Sequence, residues 1–287
     1  MVHSKVDLTP VAMTQVLDTD ANSKPVRFLK PYRFVYGHGP KVMLAFHGIG
    51  QDHNCFMPLV EVLKEQYTFY LFDLPFHGQS PALDEEKLTI PAWQALIEEF
   101  LIEDNIQRFS VTGFSMGGKF ALATLQLFPQ RIESCWLLAP DGITESPWYR
   151  LATRFWLSKN LFRFFVSNVS HFKKLASILV SIGLIEKSAV KFAETTLSTP
   201  AQRERVYRSW IGFSLIRADM KLIARFVKEN NIDLKIFLGK YDALLPAHYV
   251  HPLTKRLPNV KPIILKTGHH RLIEKTAEWF QQNSASF

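Results

Sequence analysis

The chain contains little cysteine, and this scarcity excludes two kinds of architecture. Its 287 residues include only two cysteines, Cys55 and Cys135. Small secreted folds held by disulfides need more cysteines, and structural zinc sites need several Cys or His ligands at short spacing. We therefore expect neither a disulfide framework nor a metal site, and no sequence motif indicates a cofactor.

Long apolar runs are also absent from the sequence. The N-terminal stretch MVHSKVDLTPVAMTQVLD has no apolar core of the length found in signal peptides. The apolar run LASILVSIGLI at residues 175–185 is too short to cross a bilayer. The sequence therefore favours a cytoplasmic protein without a membrane span.

Acidic residues are scarce in one segment, which accounts for the formal net charge of +8. Residues 143–230 contain 15 Lys and Arg but only 6 Asp and Glu, whereas the rest of the chain contains 19 and 20. A partner attracted by the positive charge would therefore meet this segment. The sequence has no helix-turn-helix, zinc-finger or RNP-like pattern, so we expect no nucleic-acid partner.

Buried-strand patterns alternate with helical patterns over most of the chain. Continuous apolar strands separated by helices are typical of a parallel sheet covered on both faces. The predicted strands cover residues 41–48, 67–75, 109–115, 132–140, 232–239 and 260–268. The predicted helices cover residues 54–66, 89–105, 116–128, 245–257 and 271–282, with Thr89 as the expected N-cap of the second.

Residues 143–230 interrupt this alternation with helical periodicity alone. The last two strands need the first half of the chain to form a sheet, so an insertion explains the order better than a separate helical domain on a linker. We therefore divide the chain into a first core part (1–142), a helical cap (143–230) and a second core part (231–287).

The segment FSVTGFSMGG (109–118) places a serine between a predicted strand and a predicted helix. Gly113 and Gly117 allow the strand and the helix to approach closely, so that the hydroxyl of Ser115 points out of the sheet. Ligand-binding groups collect at the carboxyl ends of parallel strands. A serine hydroxyl becomes a nucleophile when a histidine takes its proton. Ser115 is therefore the candidate nucleophile.

Several motifs of this sequence resemble those of the α/β-hydrolase superfamily, over the chain from about residue 25. G-F-S-M-G (113–117) resembles the nucleophile elbow G-x-S-x-G in its strand–turn–helix context. G-K-Y-D-A-L-L-P (239–246) resembles the acid loop, and T-G-H-H (267–270) resembles the histidine loop. DLPFHGQS (73–80) resembles the loop after the fourth strand, with Phe76 where glycine is common.

The resemblance implies an α/β-hydrolase fold. We therefore expect a mostly parallel sheet of the eight-stranded type, with helices on both faces and a helical cap inserted after the sixth strand. The resemblance also implies a catalytic triad of Ser115, Asp242 and His269, which stand in the family's chain order. His270 is the alternative base, and Asp141 is the alternative acid.

Backbone N–H groups of Ile49 and Met116 are, by the same resemblance, the expected oxyanion hole. Three polar side chains near strand or helix ends are interpreted as structural. His47 is expected to support its loop, Asp73 to accept hydrogen bonds within a loop, and Asp104 to place a charge at a helix end.

The first part of the cap, residues 146–174, combines eight aromatic with six cationic side chains. The favoured interpretation is that the aromatic rings pack on the core and cover the active site. The alternative is a basic amphipathic surface that contacts membrane or collects anionic acylated substrates. Either interpretation gives an apolar roof, so we expect a small lipophilic ester as substrate. The predicted substrate contacts are Gly48, Gly50, Phe114, Trp148, Phe155 and Trp156.

The sequence therefore predicts a serine hydrolase that cleaves carboxylic esters, thioesters or acylglycerol-like lipids through an acyl-enzyme. A hydrolase of carbon–carbon bonds or a perhydrolase would use the same three residues. A non-catalytic ligand-binding member of the fold is the third alternative, and the intact set of motifs disfavours it.

Overall fold

The computed structural model describes residues 30–83, 87–145, 181 and 197–283 of the chain. The strands are β1 (Arg33–Tyr36), β2 (Lys41–Phe46), β3 (Tyr67–Phe72), β4 (Phe109–Phe114), β5 (Ile132–Leu138), β6 (Asp233–Gly239) and β7 (Ile263–Leu265). The α-helices are α1 (Met57–Leu63), α2 (Ile90–Glu103), α3 (Gly117–Leu127), α4 (Pro200–Gly212), α5 (Met220–Glu229), α6 (His251–Thr254) and α7 (Leu272–Gln282).

The strands form one sheet in the order β1-β3-β2-β4-β5-β6-β7. All neighbouring pairs are parallel except β1 with β3, which are antiparallel. The expected mostly parallel sheet with helices on both faces is confirmed. The described part of the chain supplies seven strands rather than eight, and the strand that precedes the cap segment is the fifth of these.

The six strands expected from the sequence are present, whereas β1 was not expected. This strand is four residues long and lies at the edge of the sheet, where Arg33 pairs with Phe72 and Tyr36 with Phe69. Its residues are half-buried or exposed, so RFVY lacks the continuous apolar run by which the other strands are identified.

Alternate residues of the strands supply two separate cores, one on each face of the sheet. Leu44 and Phe46 of β2 belong to the core that includes residues of α2, α3 and α5. Met43 and Ala45 belong to the core that includes residues of α1 and α7. Successive side chains of a strand point to opposite faces, so a continuous apolar run is what a sheet covered on both sides requires.

Helix α2 begins where the sequence indicates a cap. The hydroxyl of Thr89 accepts a hydrogen bond from the N–H of Ala92 at 3.3 Å, and Pro91 occupies the first turn. The indole N–H of Trp93 then donates to the hydroxyl of Thr124 at 3.0 Å. This buried bond links α2 to α3, the helix that follows Ser115.

Two helices of the range 143–230 are described, and they occupy different places. Helix α4 has residues in both cavities beside Ser115. Helix α5 packs against α3 and α6, and its Ile223, Ala224 and Val227 belong to the core on one face of the sheet. The division of the chain at residues 143 and 230 stays a prediction.

The turn between β4 and α3 is pinned to the end of β5. The N–H of Ser115 donates to the carbonyl of Leu138 at 2.9 Å. The carbonyl of Ser115 accepts from the N–H groups of Gly118 at 2.8 Å and Asp141 at 2.9 Å. Ser115 has a φ of 52°, a left-handed conformation that non-glycine residues adopt at a cost. These three bonds hold the residue in that conformation.

The first residue of α3 packs directly against the backbone of β2. A Cβ at Gly117 would lie 1.8 Å from the carbonyl oxygen of Phe46 and 2.8 Å from that of His47. No side chain fits there without moving the helix from the sheet. The second glycine of the turn, Gly113, faces the carbonyl oxygen of Gly117, which is 2.3 Å from the position of its missing Cβ.

We predict that Gly117→Ala lowers the free energy of unfolding by about 3 kcal/mol, because the added methyl overpacks a backbone contact. The measurement is urea denaturation followed by circular dichroism. Gly268→Ala is the matched control, because its nearest neighbour would be the carbonyl oxygen of Tyr241 at 3.7 Å. Equal stability of the two variants would contradict the prediction.

Candidate active site

Three polar side chains from distant parts of the sequence form one hydrogen-bonded row at the carboxyl edge of the sheet. His269 Nε2 lies 3.0 Å from Ser115 Oγ, and His269 Nδ1 lies 2.6 Å from Asp242 Oδ2. The three residues follow β4, β6 and β7 and are all buried. When Nδ1 donates to the carboxylate, Nε2 presents its lone pair to the serine hydroxyl, so the hydroxyl donates to the imidazole.

The carboxylate of Asp242 is fixed by its own loop. Its Oδ1 accepts the N–H groups of Leu244 at 2.9 Å and Leu245 at 3.0 Å, which leaves Oδ2 for the imidazole. The alternative acid, Asp141, bonds elsewhere: its Oδ1 accepts the N–H of Gly142 at 2.7 Å. The described contacts of His269 thus favour Asp242 over Asp141.

His269 is distinguished from its neighbour by burial and by packing. Its ring stacks near that of Phe114, with centroids 4.9 Å apart, and the side chain is buried. His270 is exposed, although it lines the mouth of the same site. Phe114 is the last residue of β4 and immediately precedes Ser115. This expected substrate contact therefore also packs against the imidazole.

The backbone N–H groups of the two glycines in the loop after β2 both have acceptors. The N–H of Gly48 donates to Gln51 Oε1 at 3.2 Å, and that of Gly50 donates to His77 Nε2 at 3.1 Å. Between them, the N–H of Ile49 donates no hydrogen bond within the described part of the chain. The same is true there of the N–H of Met116. Both residues line a cavity together with Ser115.

Two buried histidines hold this loop by donating through Nδ1 and accepting through Nε2. His47 Nδ1 donates to the carbonyl of Gly48 at 2.7 Å, and its Nε2 accepts the N–H of Leu74 at 3.0 Å. His77 Nδ1 donates to the carbonyl of Pro75 at 3.0 Å, opposite its bond to the loop. This pattern requires neutral rings, and His47 has the supporting place that the sequence predicts.

Burial lowers the pKa of His47 from 6.5 to about 4, with a smaller contribution from nearby positive groups. The pKa of His77 is lowered to about 3, mainly by burial and to a smaller extent by repulsion from His47. Protonation of either ring would place a proton on Nε2, where each ring accepts a backbone N–H. The two histidines therefore stay neutral in the folded protein at ordinary pH.

These pKa values predict a loss of stability in mild acid. Below pH 6.5 both rings bind protons in the unfolded chain but not in the folded one, so the free energy of unfolding falls as the pH drops from 6.5 towards 4. His77 alone contributes on the order of 3 kcal/mol over this range. Urea denaturation at several pH values should show a shallower fall for His77→Gln, whose amide oxygen can still accept the Gly50 N–H.

His38→Gln is the matched control for that experiment, because the side chain of His38 is 69% exposed. It should keep the pH dependence of the wild type. An equally steep fall in His77→Gln and in the wild type would show that His77 does not carry the effect.

Asp73 is completely buried and accepts three hydrogen bonds, two from His53 in the loop after β2 and one from its own loop. They come from the N–H of His53 at 2.8 Å, from Nδ1 of His53 at 2.9 Å and from the N–H of Gln79 at 2.8 Å. Asp104 is the C-cap of α2 and pairs with Arg33 at 3.3 Å. Both carboxylates have the structural positions that the sequence predicts.

Phe76 departs from the family pattern at a strained position. Its φ is 69°, in the left-handed region that is costly for a bulky residue. This backbone conformation explains why glycine is common at this place. The ring packs against Phe213 with centroids 5.8 Å apart, which offsets part of the strain.

Two cavities meet at the serine, and we name them by one residue of each. The arginine cavity, of about 170 Å³, contains Arg205, and the tryptophan cavity, of about 190 Å³, contains Trp210. Ile49, Ser115 and His269 line both cavities, so a ligand at the serine can extend to either side. Gly48, Gly50 and Phe114, three of the expected substrate contacts, line the arginine cavity.

Several expectations concern residues that lie outside the described part of the chain. These are the roof residues Trp148, Phe155 and Trp156 and most of the basic aromatic segment. Membrane contact through the cap stays a prediction. No helix among the described residues is long and apolar enough to cross a bilayer, and no group of metal-binding side chains is found among them.

Comparisons with known proteins show the family of this chain. A family model described as the alpha/beta hydrolase fold matches residues 41–276, which include every described residue of the row. The chain belongs to the α/β hydrolase fold family.

One relative aligns with this chain over most of both sequences. Pimeloyl-(acyl-carrier protein) methyl ester esterase of Legionella pneumophila (strain Corby) is 25% identical over 237 residues, which cover 82% of this chain and 89% of that protein. Two solved structures show the same fold. A thermophilic esterase from Thermogutta terrifontis has a TM-score of 0.66 and 16% identity, covering 96% of this chain and 97% of its own. The enol-lactonase from Burkholderia xenovorans LB400 has a TM-score of 0.61 and 17% identity, covering 89% and 95%.

The sequence did not single out two residues that the structure places at the site. His77 lies within the motif DLPFHGQS, and its bond to Gly50 is a contact between two loops that no spacing indicates. Arg205 lies in the range 143–230. The sequence indicates a helix there but does not indicate which face of the helix lines the site.

Proposed function

We propose that this protein is a serine hydrolase of carboxylic esters, with Ser115, His269 and Asp242 as its catalytic triad. The observation that carries the proposal is the hydrogen-bonded row, with 3.0 Å from the serine to the imidazole and 2.6 Å from the imidazole to the carboxylate. A serine hydroxyl needs an adjacent base to be nucleophilic, and the buried carboxylate stabilises the imidazolium that forms. The family membership and the esterases among the relatives support the same reaction.

In the acylation step, Oγ of Ser115 attacks the ester carbonyl as His269 Nε2 takes its proton. The tetrahedral intermediate then collapses: the bond to the alkoxy oxygen breaks, and Nε2 returns the proton to that oxygen. The products are the free alcohol and an acyl-enzyme. Asp242 stays ionised throughout and keeps Nδ1 protonated.

In the deacylation step, a water molecule takes the place of the alcohol. His269 Nε2 accepts a proton from the water as its oxygen attacks the acyl carbonyl. Collapse of the second intermediate breaks the bond to Oγ, and the proton returns to the serine. The carboxylic acid leaves and the enzyme is restored.

The oxyanion of both intermediates is assigned to the N–H groups of Ile49 and Met116. Neither N–H has another acceptor among the described residues, and both residues line the tryptophan cavity beside Ser115. A preorganised donor of this kind contributes about 3 kcal/mol to the transition state. His77 and Gln51 bond to the N–H groups of the glycines on either side of Ile49 and so hold the backbone around the proposed donor.

The tryptophan cavity favours a lipophilic group on the substrate. Its described lining is mainly apolar and aromatic, and such pockets bind apolar groups by removing them from water. The relative from Legionella acts on a methyl ester, as its name states. We therefore infer a small ester with an apolar part. The apolar lining consists of Ile49, Met116, Trp210, Phe213, Leu244, Leu245 and Tyr249.

We predict that the wild type hydrolyses p-nitrophenyl acyl esters and is labelled by a fluorophosphonate on Ser115. Ser115→Ala should lose labelling and at least about 10⁴-fold in kcat, because no other group replaces the nucleophile. The readouts are p-nitrophenolate release and mass spectrometry of the labelled peptide. A wild type that neither reacts nor hydrolyses any ester of the series would refute the proposed function.

Paired variants test the base and the acid. His269→Gln and Asp242→Asn should each lower kcat by roughly 10³-fold or more, since the first removes the base and the second its orienting charge. The neighbouring candidates serve as controls: His270→Gln and Asp141→Asn should each stay within about tenfold of the wild type. If His270→Gln lost turnover and His269→Gln kept it, His270 would be the base. The same comparison of Asp141→Asn with Asp242→Asn decides the acid.

A further inference from the structure

Helix α4 turns one face to the active site. Gln202, Arg205 and Val206 line the arginine cavity, and Ser209 and Trp210, one turn further on, line the tryptophan cavity. Residues three and four apart share a face of a helix, so this spacing is that of one continuous stripe. The stripe is cationic at one end and aromatic at the other.

Arg205 differs from the other arginines of α4, because its guanidinium has no acceptor among the described residues. Arg203 donates to the carbonyl of Leu197 at 3.2 Å, and Arg208 donates to Glu204 at 2.7 Å. Within the described residues the guanidinium of Arg205 makes no hydrogen bond and no ion pair, although the residue is half-buried. A half-buried guanidinium with five donors and no acceptor is an uncommon arrangement, because burial removes part of its hydration.

The positive charge of Arg205 reaches the histidines beneath the site. It contributes to the lowered pKa of His47 and of His77, after the larger effect of burial. Arg205 lines the same cavity as Ile49. Gln202 shares the cavity, but its amide oxygen accepts the N–H of Thr199 at 3.0 Å in the cap of α4.

The two cavities differ in the balance of their charges. No Asp or Glu is found among the described residues that line the arginine cavity. In the tryptophan cavity the buried Lys119 has a carboxylate nearby, with Nζ 4.0 Å from Asp141 Oδ2. Among the described residues, the tryptophan cavity thus has a cation with a carboxylate nearby, and the arginine cavity has a cation without one.

We propose that Arg205 binds an anionic group of the ester substrate, a carboxylate or a phosphate, in the arginine cavity while the apolar part occupies the tryptophan cavity. This inference rests on the proposed ester hydrolysis and specifies the substrate class. The guanidinium offers paired N–H donors that match either oxyanion. The anion would also supply the acceptor that Arg205 lacks.

The test uses matched pairs of esters that differ only in charge. One pair carries the group on the acyl chain: p-nitrophenyl esters of equal length ending in a carboxylate or in its methyl ester. The other pair carries it on the alcohol: 4-acetoxybenzoate and its methyl ester. The wild type should prefer the anionic member of at least one pair by about tenfold or more in kcat/KM, and Arg205→Gln should lower that preference by about 10- to 100-fold.

Two further variants separate binding by Arg205 from general effects of charge. Arg208→Gln removes a charge from the same helix at a paired position and should keep the preference. Arg205→Lys keeps the charge without the planar pair of donors and should restore part of it. Inhibition of neutral-ester turnover by adipate and by inorganic phosphate distinguishes a carboxylate site from a phosphate site.

Ser115→Ala binds esters without cleaving them, so calorimetry with the same pairs tests the inference apart from turnover. Tighter binding of the anionic ester, lost in the double variant with Arg205→Gln, supports it. If neutral esters are hydrolysed but neither pair shows a preference that Arg205→Gln reduces, the inference is wrong and the proposed function stands. If no ester is hydrolysed, the proposed function fails, and equal affinities in Ser115→Ala then refute the anion site as well.

Discussion

The structure depends on the close approach of α3 to the backbone of β2. Because Gly117 has no side chain, the helix begins against the carbonyl of Phe46, and the turn before it can hold Ser115 at a φ of 52°. This contact fixes the hydroxyl relative to the loop after β2, which supplies the N–H of Ile49. Because both cavities meet at Ser115, this contact between backbone atoms also positions the hydroxyl relative to the two cavities.

The buried polar groups near that turn fall into two sets with different hydrogen-bond partners. His47, His77 and Asp73 bond mainly to backbone groups, and these bonds connect the loop after β2 with the loop after β3. His269 bonds to two side chains, those of Asp242 and Ser115, and Asp242 also accepts two backbone N–H groups of its own loop. Their neighbours differ although their burial is similar. Burial alone therefore does not separate a supporting histidine from a candidate base, whereas the identity of the hydrogen-bond partners does.

Much of the fold could be predicted because its signals are local. The six predicted strands are continuous apolar runs, as a sheet covered on both faces requires, and Thr89 marks the start of α2. The order of Ser115, Asp242 and His269 came from the resemblance. The short edge strand β1 and the bond from Gly50 to His77 were not predicted, because each depends on a partner distant in the sequence. That Arg205 has no acceptor within the described part of the chain could not be predicted, because its sequence neighbours are all common on a helix surface.

The imidazole and its carboxylate arrive late in the chain, on either side of β7, a strand of three residues at the edge of the sheet. The serine lies 154 positions earlier than the imidazole, in the centre of the sheet. Edges of a sheet open at lower free energy than its centre. Fraying of β7 would separate the imidazole of His269 from the hydroxyl of Ser115 while the rest of the sheet stays folded. On heating, the hydrogen bond between the two side chains would then be lost before the sheet unfolds. It would form again when β7 pairs with β6, without refolding of the whole chain.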